Sequence, residues 1–150
     1  MKVVVLSGSP RKNGNTQIMM KHVLEYVNQK GVEVKFINLA EDGFESFKGA
    51  ANEVNYNEKT LQAAKDITDA DVWLVGIPVY NSMFSAALKN IFEFINYKET
   101  EGKTAGLAII AGGTISFGDV QTLFTQLMSC LLYTSPSPRD ATLSRMPSSA

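Results

Sequence analysis

Cysteine is nearly absent: Cys130 is the only one in 150 residues. That excludes a disulfide framework and a multi-cysteine metal site. Histidine is as scarce, and His22 falls inside a helical pattern, where it reads as a surface or packing residue. An excess of one charge is also missing. The net charge is −1, so nothing points to nucleic acid or an anionic membrane surface. No apolar run is long enough to span a bilayer. The first one is short, opens into a polar loop and does not read as a signal peptide, so a cytoplasmic location is expected. Hydrophobic residues make up 45% and charged residues 19% of the chain, a balance that suits one globular domain with a real core.

What is present begins at residue 7. The apolar run Val3-Val4-Val5-Leu6 leads directly into Ser7-Gly8-Ser9-Pro10-Arg11-Lys12-Asn13-Gly14-Asn15-Thr16, and a helical pattern follows. Backbone N–H groups at a helix start lack intrahelical partners and carry partial positive charge. An anion placed there satisfies them. Ser7, Ser9, Asn13, Asn15 and Thr16 add side-chain donors, and Arg11 adds a planar cationic fork suited to phosphate oxygens. Ordinary turns use Ser, Asn, Gly and Pro as well. The anion reading is preferred because these donors and the arginine sit together at the end of a first strand, where open α/β sheets bind ligands. Two familiar phosphate loops are excluded. The dinucleotide fingerprint needs three spaced glycines, and this loop has only Gly8 and Gly14. The nucleoside-triphosphate loop needs Lys after its last glycine, and Asn15 stands there.

Periodicity predicts strands over 2–6, 32–39 (an outer strand), 71–77 (stopped at Pro78) and 103–111. It predicts helices over 15–29, 58–70 and 85–97, with another beginning at Gly118 or Asp119. Ile18, Met19, Val23, Leu24 and Val27 form the expected inner stripe of the first helix. Residues 40–57 carry no clear period, though Phe44 and Phe47 are expected to tuck onto the body. Tyr26, Tyr56 and Trp73 read as packing residues. Strand and helix alternate at βαβ spacing, which implies an α/β fold with a parallel sheet and helices on both faces. Three polar or glycine-bearing segments, after Leu6, Ile77 and Ile110, then converge on one edge of the sheet. Phe92, Phe94 and Ile95 lie on too many faces for a single helical stripe, which suggests a second buried face and hence a dimer interface; the full-length parent is expected to be a homodimer or homotetramer.

Ser7-Gly8-Ser9-Pro10-Arg11 with Asn15-Thr16 resembles the phosphate loop of the NADPH-dependent FMN reductase family, within the flavodoxin-like fold. Pro78-Val79-Tyr80-Asn81-Ser82-Met83-Phe84-Ser85-Ala86-Ala87-Leu88-Lys89-Asn90 resembles that family's flavin-ring loop and the helix behind it. Ala111-Gly112-Gly113-Thr114 resembles the loop approaching the flavin's pyrimidine edge. The resemblance runs to about Met128. It implies a doubly wound sheet of order 2-1-3-4, with the fifth strand and last helix missing, and FMN as cofactor with NADPH or NADH as hydride donor. Hydride would pass to flavin N5 and then to a small acceptor such as a flavin or quinone. Ser7, Ser9, Pro10, Arg11, Asn13, Asn15 and Thr16 would hold the phosphate end. Pro78, Val79, Tyr80, Asn81, Ser82, Met83 and Phe84 would line the ring, with Tyr80 and Phe84 giving aromatic area. Gly112 and Gly113 would let backbone N–H groups approach the ring carbonyls. No metal and no protein nucleophile is required.

A flavodoxin-type electron carrier is the competing reading. It fits less well, because such carriers are generally strongly acidic and use a different loop, without Ser-Pro-Arg. An iron–sulfur flavoprotein shares the first loop but needs clustered thiolates, and residues 40–57 hold no cysteine. The end of the chain breaks the pattern. Pro136, Pro138 and Pro147 are three of five prolines, and they fall where helical periodicity is lost. The stretches over 130–140 and 144–150 resemble translated sequencing-adapter DNA, with Ala141, Thr142 and Leu143 as the index between them. Residues 1–129 are therefore expected to be an incomplete flavodoxin-like FMN-binding domain, and 130–150 a non-native disordered tail. A natural Ser/Pro-rich terminus is the plainer alternative. A stop codon after Ala150 in the source genome would favour the latter.

Overall fold

A computed structural model describes residues 1–49, 55–113 and 116–132. Four strands run parallel in the order β2 (Glu33–Asn38), β1 (Lys2–Ser7), β3 (Val72–Tyr80) and β5 (Thr104–Ile110). This is the α/β architecture and the 2-1-3-4 order expected, with β2 on the outside. The difference lies at Pro78. It does not stop the strand; β3 continues to Tyr80 and folds back onto a two-residue strand β4 (Met83–Phe84), pairing Val79 with Phe84 and Tyr80 with Met83. Proline is tolerated there because the last β1 pair, Ser7 with Gly76, has already passed. Asn81 (φ 49°) and Ser82 (φ 61°) form the two-residue turn. Positive φ at both positions is the hairpin geometry that matches strand twist.

Alternation along β1 sends its side chains to two layers. Val3 and Val5 pack with Met20 and Val27 of α1 (Asn15–Asn28). Val4 and Leu6 join the larger core with residues of α2 (Glu58–Asp69), α3 (Ala86–Glu93) and α4 (Ser116–Leu132). The inner stripe of α1 differs from expectation: Met20 is buried and Ile18 is half exposed. The reason lies on β3. A Cβ on Gly76 would sit 2.4 Å from Met20 Cγ and 3.0 Å from the Thr16 methyl, so the missing side chain admits the Thr16–Met20 face. Tyr26 is exposed, while Trp73 and Tyr56 are buried. Trp73 Nε1 donates to the Ile67 carbonyl at 2.8 Å. Phe44 and Phe47 pack on the core.

The expected helix over 85–97 ends at Glu93, with Phe94 as its C-cap. Phe92, Phe94 and Ile95 are all buried within this chain. Phe92 meets Trp73 and Phe124, and Phe94 meets Phe47 and Tyr56 edge-on. Their surface is covered within the chain, so the argument for a dimer interface built on them falls. α4 starts at Ser116, earlier than expected, and crosses the boundary proposed at residue 129. Leu131 is buried, and its carbonyl accepts from Thr100 Oγ1. The remainder of the proposed tail, 133–150, and Thr114 lie outside the described residues. Among the described residues β5 pairs with β3 alone, and no helix is long and apolar enough to cross a membrane.

Candidate functional site

The loop after β1 is held from below. Gly8 N–H donates to the Gly76 carbonyl at 2.9 Å. A Cβ on Gly8 would lie 2.7 Å from that same oxygen and 2.9 Å from the Leu88 methyls, so only glycine lets the chain pass here. Ser85, the N-cap of α3, accepts from Leu88 N–H and donates to the Gly8 carbonyl. One side chain thus caps a helix and fixes the root of the loop.

Above this root the chain turns through Asn13 in the left-handed region (φ 55°), which asparagine tolerates better than most residues. Asn13 N–H is taken by Gln17 Oε1 at 2.7 Å. α1 then begins with Gly14 as N-cap, without a side-chain cap and with no acidic residue in its first turn. By contrast, Asn57 caps α2 at Thr60 N–H and Ser85 caps α3. Among the described residues, the first amide donors of α1 therefore have no side-chain cap.

A cavity of about 460 Å³ opens at this point, within the range of small-molecule sites of about 300–1,000 Å³. It brings together Ser9, Arg11, Asn13, Asn15 and Thr16 from the loop, Pro78, Val79 and Tyr80 from β3, and Gly112 beyond β5. Lys12, Gly14 and Ile110 also line it. Sequence reasoning did not single these three out; Gly14 and Lys12 stood inside the quoted loop, and Ile110 at the end of a strand. Tyr80 and Ser9 meet across the cavity, Oη to Oγ, at 2.9 Å, and Arg11 N–H donates to the same Ser9 oxygen at 3.2 Å. The Arg11 guanidinium has no protein partner among the described residues. Lys12 is engaged elsewhere: its ammonium donates to Asp42 at 2.8 Å and holds that carboxyl below its ordinary value, with a smaller push from Lys59.

The other expected residues lie around this cavity rather than in it. Ser7 is fully buried at the root of the loop, and its Oγ is the buried side-chain oxygen left without a partner among the described residues. Pro10 faces a neighbouring cavity of about 560 Å³, with Leu39, Ala40 and Ala87. Asn81 and Ser82 form the exposed hairpin turn, and Ser82 Oγ donates to Ser116 Oγ at 3.1 Å, tying the hairpin to α4. Met83 is exposed. Phe84 packs edge-on against Phe124 at 5.2 Å, so its ring serves the core. Gly113 opens on a third hollow with Ile109 and Phe117.

The donor set suits a phosphate-bearing ligand. An uncapped helix start, a hydroxyl pair, a guanidinium without a protein partner among the described residues and a glycine-lined approach are gathered in one concavity, and Val79, Tyr80 and Ile110 supply the less polar wall. Among the described residues no cluster of His, Cys, Asp or Glu could hold a metal ion.

The model of the NADPH-dependent FMN reductase family matches residues 1–142. An iron–sulfur flavoprotein of Methanocaldococcus jannaschii is 31% identical over 98 residues, covering 62% of this chain and 51% of that protein. An FMN-dependent NADPH-azoreductase of Staphylococcus aureus is 26% identical over 121 residues, covering 77% and 63%. The chain thus spans between half and two thirds of the length of these relatives. Among solved structures, FerB, an NAD(P)H:(acceptor) oxidoreductase of Paracoccus denitrificans, aligns with a TM-score of 0.67 at 21% identity over 91% of this chain and 76% of that one. That likeness shows the shared fold.

Proposed function

The chain belongs to the NADPH-dependent FMN reductase family, and from that premise we propose that it binds FMN in the 460 Å³ cavity and oxidises NADPH or NADH there. The observation that carries this reading is the convergence of an uncapped α1 with the ends of β3 and β5 around one concavity. When bound, FMN would supply hydride acceptance and its onward transfer to a small acceptor such as a flavin, a quinone or an azo compound. The chain's own residues would do the rest. First-turn amides of α1 and the Ser9 and Thr16 hydroxyls would bind the phosphate, with Arg11 neutralising its charge. Pro78, Val79, Tyr80 and Ile110 would exclude water from one side of the ring. Gly112, lacking a side chain, would let backbone approach the ring edge.

The M. jannaschii relative is named for an iron–sulfur group. This chain has one cysteine, too few for thiolate ligation of a cluster, so FMN alone is assigned. A cytoplasmic site of action is part of the reading, supported by the lack of a disulfide framework. The incomplete-domain boundary near residue 129 remains a proposal too; the continuation of α4 to Leu132 favours moving it a few residues onward. Titration of the protein into FMN tests the site. The flavin's fluorescence should be quenched in a saturable way, and inorganic phosphate should compete. Fluorescence that is unchanged at protein excess would sink the proposal.

A further inference from the structure

Ser9 has one proton to donate and two lone pairs to accept with. It is 2% exposed, so its bonding is set by the protein. One lone pair takes Arg11 N–H at 3.2 Å. The second contact is Tyr80 Oη at 2.9 Å. Either oxygen could donate there, but a phenol is a much stronger acid than an aliphatic alcohol, so the tyrosine proton lies between them. Both lone pairs of Ser9 Oγ are then filled. Its own hydrogen is left without a protein acceptor among the described residues, and it must point away from both donors, toward the cavity that Ser9 lines.

We infer that Tyr80 is a positioning residue: through its hydroxyl it locks the Ser9 O–H as a donor aimed at the ligand's phosphate end. Its ring need not touch that end. The arrangement links two segments 71 residues apart, so the flavin-ring wall and the anion loop are set by one contact. Two donations into Ser9 Oγ also polarise its O–H, since hydrogen bonds in a chain strengthen one another. The inference rests on the FMN reading above and adds a role for one atom within it.

The test compares two ligands that differ only in the phosphate, FMN and riboflavin, by fluorescence titration of the full chain. Wild type should prefer FMN. Tyr80→Phe keeps the ring and should cut that preference by about three- to ten-fold, with FMN affinity falling by that factor more than riboflavin affinity. In a Ser9→Ala background the same change should have no further effect on the ratio, because the residue it acts through is gone. Equal loss of both affinities would mean that Tyr80 acts by packing, and overturns the inference. So would an unchanged ratio, or a ratio that falls equally in both backgrounds. A wild type that binds both flavins equally overturns the inference while leaving a flavin site standing. A wild type that binds neither overturns the FMN reading and the inference with it.

Discussion

Lys12 joins the loop after β1 to the segment after β2 by its bond to Asp42. Both side chains are largely exposed, at 65% and 89%, so the pair is a weak tether. Its pH dependence is nonetheless defined. The Asp42 carboxyl is lowered in the folded state, so in acid the unfolded chain binds the extra proton. The contribution is complete above the ordinary aspartate value and is lost as pH falls through the lower folded one. Urea midpoints of wild type and Asp42→Asn should therefore differ most near neutrality and converge in acid; a gap independent of pH would contradict this. At the residue scale the sequence was informative where chemistry is local. Ser9, Arg11, Asn15 and Thr16 do share a cavity, because a strand end and a helix start fix them within one turn. It was uninformative where the outcome depends on a distant partner. Phe84 belongs to the core because Phe124 arrives from α4, and Tyr80 reaches Ser9 from the end of β3; no local pattern carries either fact.

The elements differ in how they end, and the differences bear on the site. α2 and α3 are closed by Asn57 and Ser85, whereas α1 opens with Gly14 and no cap. Ser85 is the more consequential of the two caps, since it also holds the Gly8 carbonyl. Ser85→Ala should lower stability by about 1–2 kcal/mol in urea unfolding. It should also weaken FMN binding, because the loop root loses its side tie; a variant that unfolds earlier yet binds FMN as wild type does would separate the two roles. The strands were legible as apolar runs with turn residues at their ends. The extension of β3 was not. Pro78 reads as a stop, and Asn81-Ser82 lacks the glycine that usually announces a two-residue hairpin. The end of α3 at Glu93 was equally hidden, since the following Phe94 and Ile95 keep the apolar content of a helix while packing inward.

Across the whole molecule, β1 and β3 each have two parallel neighbours, and β2 and β5 have one each among the described residues. Amide hydrogen exchange should follow that order, slowest in β1 and β3 and faster in β2 and β5. Protection in β5 equal to that in β3 would show that another strand or another molecule covers it. An apolar strand open on one side is also a route to association. The topology was legible because βαβ units permit few connections, and the three loops therefore had to gather on one edge. What the sequence could not show was the second function of that edge, where Gly8, Gly76 and Ser85 support the loop from beneath.

This edge is proposed to hold FMN in a form that NADPH or NADH can reduce. Anaerobic mixing of the FMN-loaded protein with each nucleotide tests it most directly. The flavin's visible absorption should be bleached at a rate that rises with nucleotide concentration and then saturates. Flavin that stays bound and oxidised in the presence of both nucleotides would contradict it, and would leave a flavin-binding electron carrier in place of a reductase.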